Sequence, residues 1–299
     1  MMYPIPRFFS VRPSLRVLYP NLLTYLPFPP SRRLSTSLHR QPRSELSLVV
    51  GTHQIPHPSK VKTGGDDAFF VSTYNGGVIA VADGVSGWAE RGVNPALFPR
   101  ELMANASNLL MYEEVNSDPQ ILLMKAHAAT SSVGSATVIV GMLENNGVLN
   151  VASVGDCGLR LIRRGQLIFY TRQQEHYFNC PYQLSSEQPT QTHHDAMVCS
   201  VNLLVGDIIV MGSDGLFDNV YDHEIASIIS DLTDVTKAAK DIANLAQVHS
   251  TDVNFDSPYS SEARNRGYDV PLWRKVLGHK LTGGKPDDIT VIVGHVQNS

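Results

Sequence analysis

Apolar residues recur along this chain with two periods. Ala68–Thr73 and Gly77–Ala82 are short runs split by Tyr74-Asn75-Gly76-Gly77, an Asn-Gly turn signal, and they read as a hairpin. Leu46–Gly51, Ala136–Met142, Val148–Val154, Leu159–Arg163, Leu167–Tyr170, Ala196–Leu204, Asp207–Met211 and Ile289–Val296 read as further strands. Asn145-Asn146-Gly147, Arg164-Gly165 and Val205-Gly206 supply turns between them. From Pro95 to Val115 the period changes, and Phe98, Leu102, Ala106 and Leu109 fall on one helical face. Residues 119–130 form a second helix, with Pro119 suited to its first turn. Two more helices follow. Asp222 is expected to cap one, burying Ile225, Ile228, Ile229 and Leu232; Asp234 caps the other, burying Val235, Ala238, Ile242 and Leu245. Residues 52–66 read as loop, 171–195 as a long polar loop of the functional kind, and 250–286 as a helix-and-loop insert. The order is not βαβα, which excludes a doubly wound parallel sheet and favours antiparallel sheets covered by helices.

Carboxylates punctuate this pattern where apolar runs begin or end. Four islands carry them: Gly64-Gly65-Asp66-Asp67-Ala68, Val81-Ala82-Asp83-Gly84-Val85-Ser86-Gly87-Trp88, Ser213-Asp214-Gly215-Leu216-Phe217-Asp218 and Asp287-Asp288-Ile289-Thr290-Val291. A single Asp-Gly after a strand is ordinarily a turn. Four such islands imply carboxylates gathered at the edge of a core, where they repel one another unless a cation holds them. Asp83 has two oxygens with which to bridge two ions, and Gly84 lets its carbonyl come close to one. Asp214 repeats the device and Asp287 adds a third carboxylate. An all-oxygen set without a His/Cys group favours Mg2+ or Mn2+ over Zn2+. Two such ions about 3.5–4 Å apart can acidify a shared water and clamp a phosphoryl group in line.

Composition narrows the class. The chain has 299 residues, 42% hydrophobic and 17% charged, enough for a sizeable core and unlike a disordered protein. Formal net charge is −4, unevenly spread: residues 1–44 hold seven Arg and no Lys, Asp or Glu, leaving 17 basic residues against 28 acidic beyond them. An acidic domain of this kind is a poor nucleic-acid partner. The basic, Ser- and Pro-rich leader over 1–44 has the composition of an organelle transit peptide, expected to be disordered, ahead of a single domain over 45–299. Its many prolines break a long amphipathic helix, which favours chloroplast, with the mitochondrion as the alternative. Cys157, Cys180 and Cys199 show no CxxC spacing and are expected to be free thiols. No apolar run approaches the roughly 20 residues of a membrane span.

Taken together and in this order, the islands resemble the metal-dependent type 2C Ser/Thr protein phosphatases, as do Gly134-Ser135-Ala136-Thr137 and Val154-Gly155-Asp156-Cys157. The resemblance runs from about residue 45 to 299. It implies an α+β fold of two antiparallel β-sheets packed as a sandwich and flanked by pairs of α-helices, acting as a monomer. It also implies hydrolysis of phosphoserine or phosphothreonine by metal-activated water. Asp83 would bridge two ions, the Gly84 carbonyl would bind the second, and Asp214 and Asp287 would hold the first. Asp67 and Asp66 would hold metal waters, and Asp156 with Asp214 a third, weaker ion. Lys62 stands where many members carry a phosphate-binding Arg, giving a point charge without the bidentate fork. Many members place a general-acid His directly after the bridging Asp-Gly; here Val85 stands there, so no general acid is assigned. Glu175-His176-Tyr177-Phe178, the Asp-Gly-Val-Ser-Gly-Trp form and the basic leader resemble the plant branch that acts on photosystem II core proteins at the thylakoid. His176 is a candidate cleft residue, His193-His194 an exposed loop pair, and Trp88 a packing anchor. The exchanges at Val85 and Lys62 leave a second reading, a silent module that shields phosphosites, although every ligand position is intact.

Overall fold

Strands buried on both faces read as continuous apolar runs, and this fold shows why. The computed structural model describes residues 46–188, 190–230, 232–271, 274–275 and 278–299, all within one compact unit. The leader over 1–44 lies outside the described residues. The strands are β1 (Leu46–Ile55), β2 (Ala68–Ser72), β3 (Val78–Gly84), β4 (Ser135–Leu143), β5 (Val148–Val154), β6 (Gly158–Arg163), β7 (Gln166–Tyr170), β8 (Glu175–Tyr177), β9 (Cys180–Pro181), β10 (Leu184–Ser185), β11 (Met197–Asn202), β12 (Ile208–Gly212) and β13 (Ile289–Asn298). The helices are α1 (Leu97–Leu109), α2 (Pro119–Ala129), α3 (Asp214–Phe217), α4 (Asp222–Ile229), α5 (Val235–Thr251) and α6 (Pro258–Asn265).

One sheet runs β1-β13-β12-β6-β7 and the other β11-β5-β4-β3-β2, with β10 added to β4; all these pairings are antiparallel. Successive residues alternate between two cores, as strand geometry requires. Ile79 and Val81 of β3 meet Ile209, Met211 and Ile292 of the other sheet in the central layer. Their neighbours Val78, Ala80 and Ala82 face outward onto Phe98, Leu102 and Leu122 of α1 and α2. On the far side, Val291 and Val293 pack on Ile225, Ile242 and Ala246 of α4 and α5. The expected sandwich flanked by helix pairs is what forms.

Local departures have physical causes. β1 continues to Ile55, beyond the expected end at Gly51, because Thr52–Ile55 pair with Ile289–Ile292 of β13. α1 begins at Leu97 and ends at Leu109, shorter than the 95–115 pattern; Asn116 and Ser117 then take positive φ (42° and 59°). Asp234 caps α5 by accepting from the Thr236 and Lys237 N–H groups. Asp222 does not cap α4: it is the first helical residue, and its carboxylate pairs with Arg160 at 2.6 Å instead. The hairpin turn does form at Asn75 and Gly76, at φ of 47° and 93°. The polar 171–195 stretch is not structureless, since it carries β8, β9 and β10.

Candidate metal centre

Antiparallel pairing gathers the islands. Asp66 and Asp67 precede β2, and Asp83 and Gly84 end β3, which pairs with β2 through Ala68 and Ala82. Gly212 ends β12 opposite Val291 near the start of β13, so Asp214 and Asp287-Asp288 share that edge. Asp156 lies in the turn from β5 to β6. A carboxylate at each of these strand ends therefore faces the others across one rim of the sandwich.

The contacts are specific. Asp67 Oδ2 accepts from Ser213 Oγ (2.8 Å) and Thr290 Oγ1 (2.6 Å), which ties three islands together. Asp288 is structural. It accepts from the His57 N–H at 2.7 Å, the Asp66 N–H at 2.9 Å and Lys60 Nζ at 2.8 Å. Lys60 also pairs with Asp66 Oδ2 at 2.7 Å. Lys285 Nζ sits between Asp214 Oδ2 (2.5 Å) and Asp218 Oδ2 (2.8 Å). Gly84 and Gly215 are required by packing as well as by chemistry. A Cβ on Gly84 would meet the carbonyls of Asp66 and Pro95 at 2.7 Å, and one on Gly215 the Asp288 carbonyl at 2.1 Å.

Burial and mutual repulsion load the site. Asp83 is pushed well above the usual carboxylate range, by burial first and then by Asp67, Asp214, Asp287 and Asp156. Burial raises Asp67 to about 8, against the hydrogen bond from Thr290, and raises Asp287 to about 7. Asp156 is pushed well above the normal range by burial and by Asp214 and Asp218. Asp214 goes the other way: burial would raise it, but Lys285 holds it below its ordinary value.

Whether these residues suit a divalent ion can be read from their oxygens. Oδ1 of Asp67, of Asp156 and of Asp214 is buried without a hydrogen-bond partner. Buried polar atoms are nearly always satisfied, and three unsatisfied carboxylate oxygens on one rim are the acceptors that a hard cation fits. Among the described residues no three His, Cys, Asp or Glu side chains are already drawn onto a common point. The carboxylates are gathered but held apart, two of them by Lys285.

Of the residues expected from sequence, Asp66, Asp67, Asp83, Gly84, Asp156, Asp214 and Asp287 come to this rim. Lys62 is exposed and makes no ion pair among the described residues; Lys60, two residues earlier, is the lysine that enters the acidic cluster. Sequence patterns give no role to Lys60, Asp288, Asp218 and Lys285, which lie within the four acidic islands or no more than four residues from them. Trp88 is a buried anchor, its Nε1 donating to Ser135 Oγ at 2.7 Å. His176 lines a cavity of about 500 Å³ together with Val85 and Trp88. The rings of His193 and His194 lie 3.9 Å apart, tilted at 40°; His194 is exposed and His193 only partly so. The three cysteines are free, as expected.

No family model matches the chain. It is 64% identical over 271 residues to "Probable protein phosphatase 2C 1" of Oryza sativa subsp. japonica, covering 91% of this chain and 82% of the relative. It is 59% identical over 292 residues to "Probable protein phosphatase 2C 26" of Arabidopsis thaliana, covering 96% of this chain and 95% of that protein. The chain belongs to the protein phosphatase 2C family. Among solved structures it resembles the photosystem II phosphatase PBCP, with 66% identity, TM-score 0.82, and coverage of 84% of this chain and 99% of that one. The catalytic domain of the serine/threonine phosphatase PstP, solved with two manganese ions, shares the fold at 16% identity and TM-score 0.55, covering 85% of this chain and 100% of that one. As a protein phosphatase 2C, the chain is a Ser/Thr protein phosphatase of the α+β sandwich fold. Its described residues include no helix long and apolar enough to cross a membrane.

Proposed function

We propose that this phosphatase removes phosphate from threonine and serine of photosystem II core proteins at the thylakoid surface, using Mg2+ or Mn2+. What carries the substrate reading is the 66% identity to a phosphatase that acts on photosystem II. The basic leader over 1–44 supports import into the chloroplast and the stroma as the place of action. The shared rim, with its three unsatisfied carboxylate oxygens, supports the metal reading.

Asp83, the Gly84 carbonyl, Asp214 and Asp287 would hold two ions, with Asp67 and Asp66 holding waters around them. When bound, the ions supply positive charge that acidifies water and offsets charge building on the phosphoryl oxygens. The chain's own residues orient and exclude. Ser213 and Thr290 fix the Asp67 carboxylate. Lys60 ties Asp66 to Asp288 and so holds the loop before β2 against the start of β13. Exposed Lys62 is the side chain on that loop available to an incoming phosphate.

The test is dephosphorylation of isolated phosphorylated thylakoid membranes, scored protein by protein, in Mg2+, Mn2+ or chelator. Loss of phosphate from photosystem II core subunits ahead of other thylakoid phosphoproteins, abolished by chelator, is expected. Equal action on all of them would refute the substrate assignment. Import of a reporter fused to residues 1–44 into mitochondria instead would refute the location.

A further inference from the structure

Asp156, Asp218 and Lys285 line one pocket at a corner of the rim, and Lys285 reaches both Asp214 and Asp218. Asp156 and Asp214 are each only 7% exposed and each has an oxygen without a partner. Carboxylate oxygens are the ligands a hard cation takes, and the sequence pattern places a third, weaker ion at Asp156 and Asp214. The structure puts a side chain in that place. Lys285 Nζ lies 2.5 Å from Asp214 Oδ2 and 2.8 Å from Asp218 Oδ2.

The lysine is held there from several sides. Its backbone N–H donates to Asn219 Oδ1 at 2.8 Å, and its carbonyl accepts from Asn219 Nδ2 at 2.9 Å. Asn219 is fully buried, and its Nδ2 also donates to the Gly215 carbonyl at 2.9 Å, which fixes Lys285 to the turn that carries Asp214. The ring of Tyr259 stands 5.4 Å from Nζ. Contact with two carboxylates favours the ammonium form of the lysine. An ammonium is a compact point charge with three donors and suits such a corner.

We propose that the Lys285 ammonium is a built-in cation that occupies the corner between Asp156, Asp214 and Asp218 and thereby limits this phosphatase to two divalent ions. Asp214 then turns one oxygen to Lys285 and keeps the other for a metal. Removal of the ammonium leaves the corner one charge more negative and frees oxygens of Asp214 and Asp218 for a third divalent ion.

The inference rests on the reading that the rim holds divalent ions, and one experiment separates the two. Equilibrium dialysis against Mn2+, followed by metal analysis, counts ions per chain for the wild type, Lys285→Met, Lys285→Gln and Lys285→Arg. Two ions on the wild type and on Lys285→Arg, with three on the neutral variants, are expected. Lys285→Gln keeps hydrogen-bonding capacity and serves if Lys285→Met does not fold. Two ions on the wild type and two on every folded neutral variant would overturn the role of Lys285 alone. Three on the wild type would also overturn it. No Mn2+ on the wild type would overturn the metal reading beneath it as well.

Discussion

Thr290→Val removes one hydroxyl from the most connected carboxylate of the site at almost no cost in shape. Thr290 is fully buried, and its Oγ1 donates to Asp67 Oδ2 at 2.6 Å; the other oxygen of Asp67 has no partner. Burial raises Asp67 to about 8, and the Thr290 hydrogen bond opposes that rise. Below pH 8 in chelator, Asp67 is therefore mostly neutral, and the lost bond is worth about 0.5–1.5 kcal/mol. Above pH 8 it is ionised, and the loss grows to about 1.5–3 kcal/mol, the value for a charged acceptor. The sign follows from linkage: the bond favours the ionised form, so its stabilisation increases as protons leave. Urea unfolding of wild type and Thr290→Val in chelator, at pH 6 and pH 9, measures the difference. An equal loss at both pH values, or a larger one at pH 6, would refute the assignment of Asp67 as a buried acid poised by its hydroxyl donors.

Other outcomes follow from the same geometry. In chelator the folded protein binds more protons than the unfolded chain, because Asp218, Asp287 and Asp67 are raised to about 6, 7 and 8 from 3.8. Stability of the metal-free protein should fall as pH rises from about 4 to 8, and saturating Mg2+ should flatten that fall in thermal melts; no pH dependence in chelator would count against it. Gly215→Ala pushes a methyl to 2.1 Å from the Asp288 carbonyl and should cost about 1–3 kcal/mol by overpacking, read as a lower denaturation midpoint. Trp88→Phe removes the 2.7 Å donor to Ser135 Oγ, which keeps its own bond to Gln183 Oε1, and should cost about 0.5–1.5 kcal/mol in the same assay.

Much of this was legible in the chain because strand ends and chemistry coincide. The hairpin around Asn75-Gly76, the β3 run ending at Asp83-Gly84 and the Asp234 cap each depend on neighbours in sequence, which periodicity and turn chemistry record. Contacts between distant segments were not legible. The extension of β1 to Ile55 depends on β13, over 230 residues away along the chain. Asp222 looked like a cap because its type suits one, but Arg160 on β6 claims its carboxylate. Lys60 and Lys62 are equivalent by composition; only the fold turns Lys60 into the acids and leaves Lys62 at the surface. Lys285 shows the same limit most clearly, because nothing local marks a lysine two residues before Asp287 as the partner of Asp214 and Asp218.

The decisive quantity is the affinity of the metal-free protein for Mn2+ with and without the Asp83 carboxylate. Calorimetric titration of the wild type should show tight binding. Asp83→Asn should lose at least one ion and all turnover of a phosphothreonine peptide, with an unchanged circular dichroism spectrum. Retention of both ion binding and turnover by Asp83→Asn would contradict a catalytic centre built on converging strand-end carboxylates.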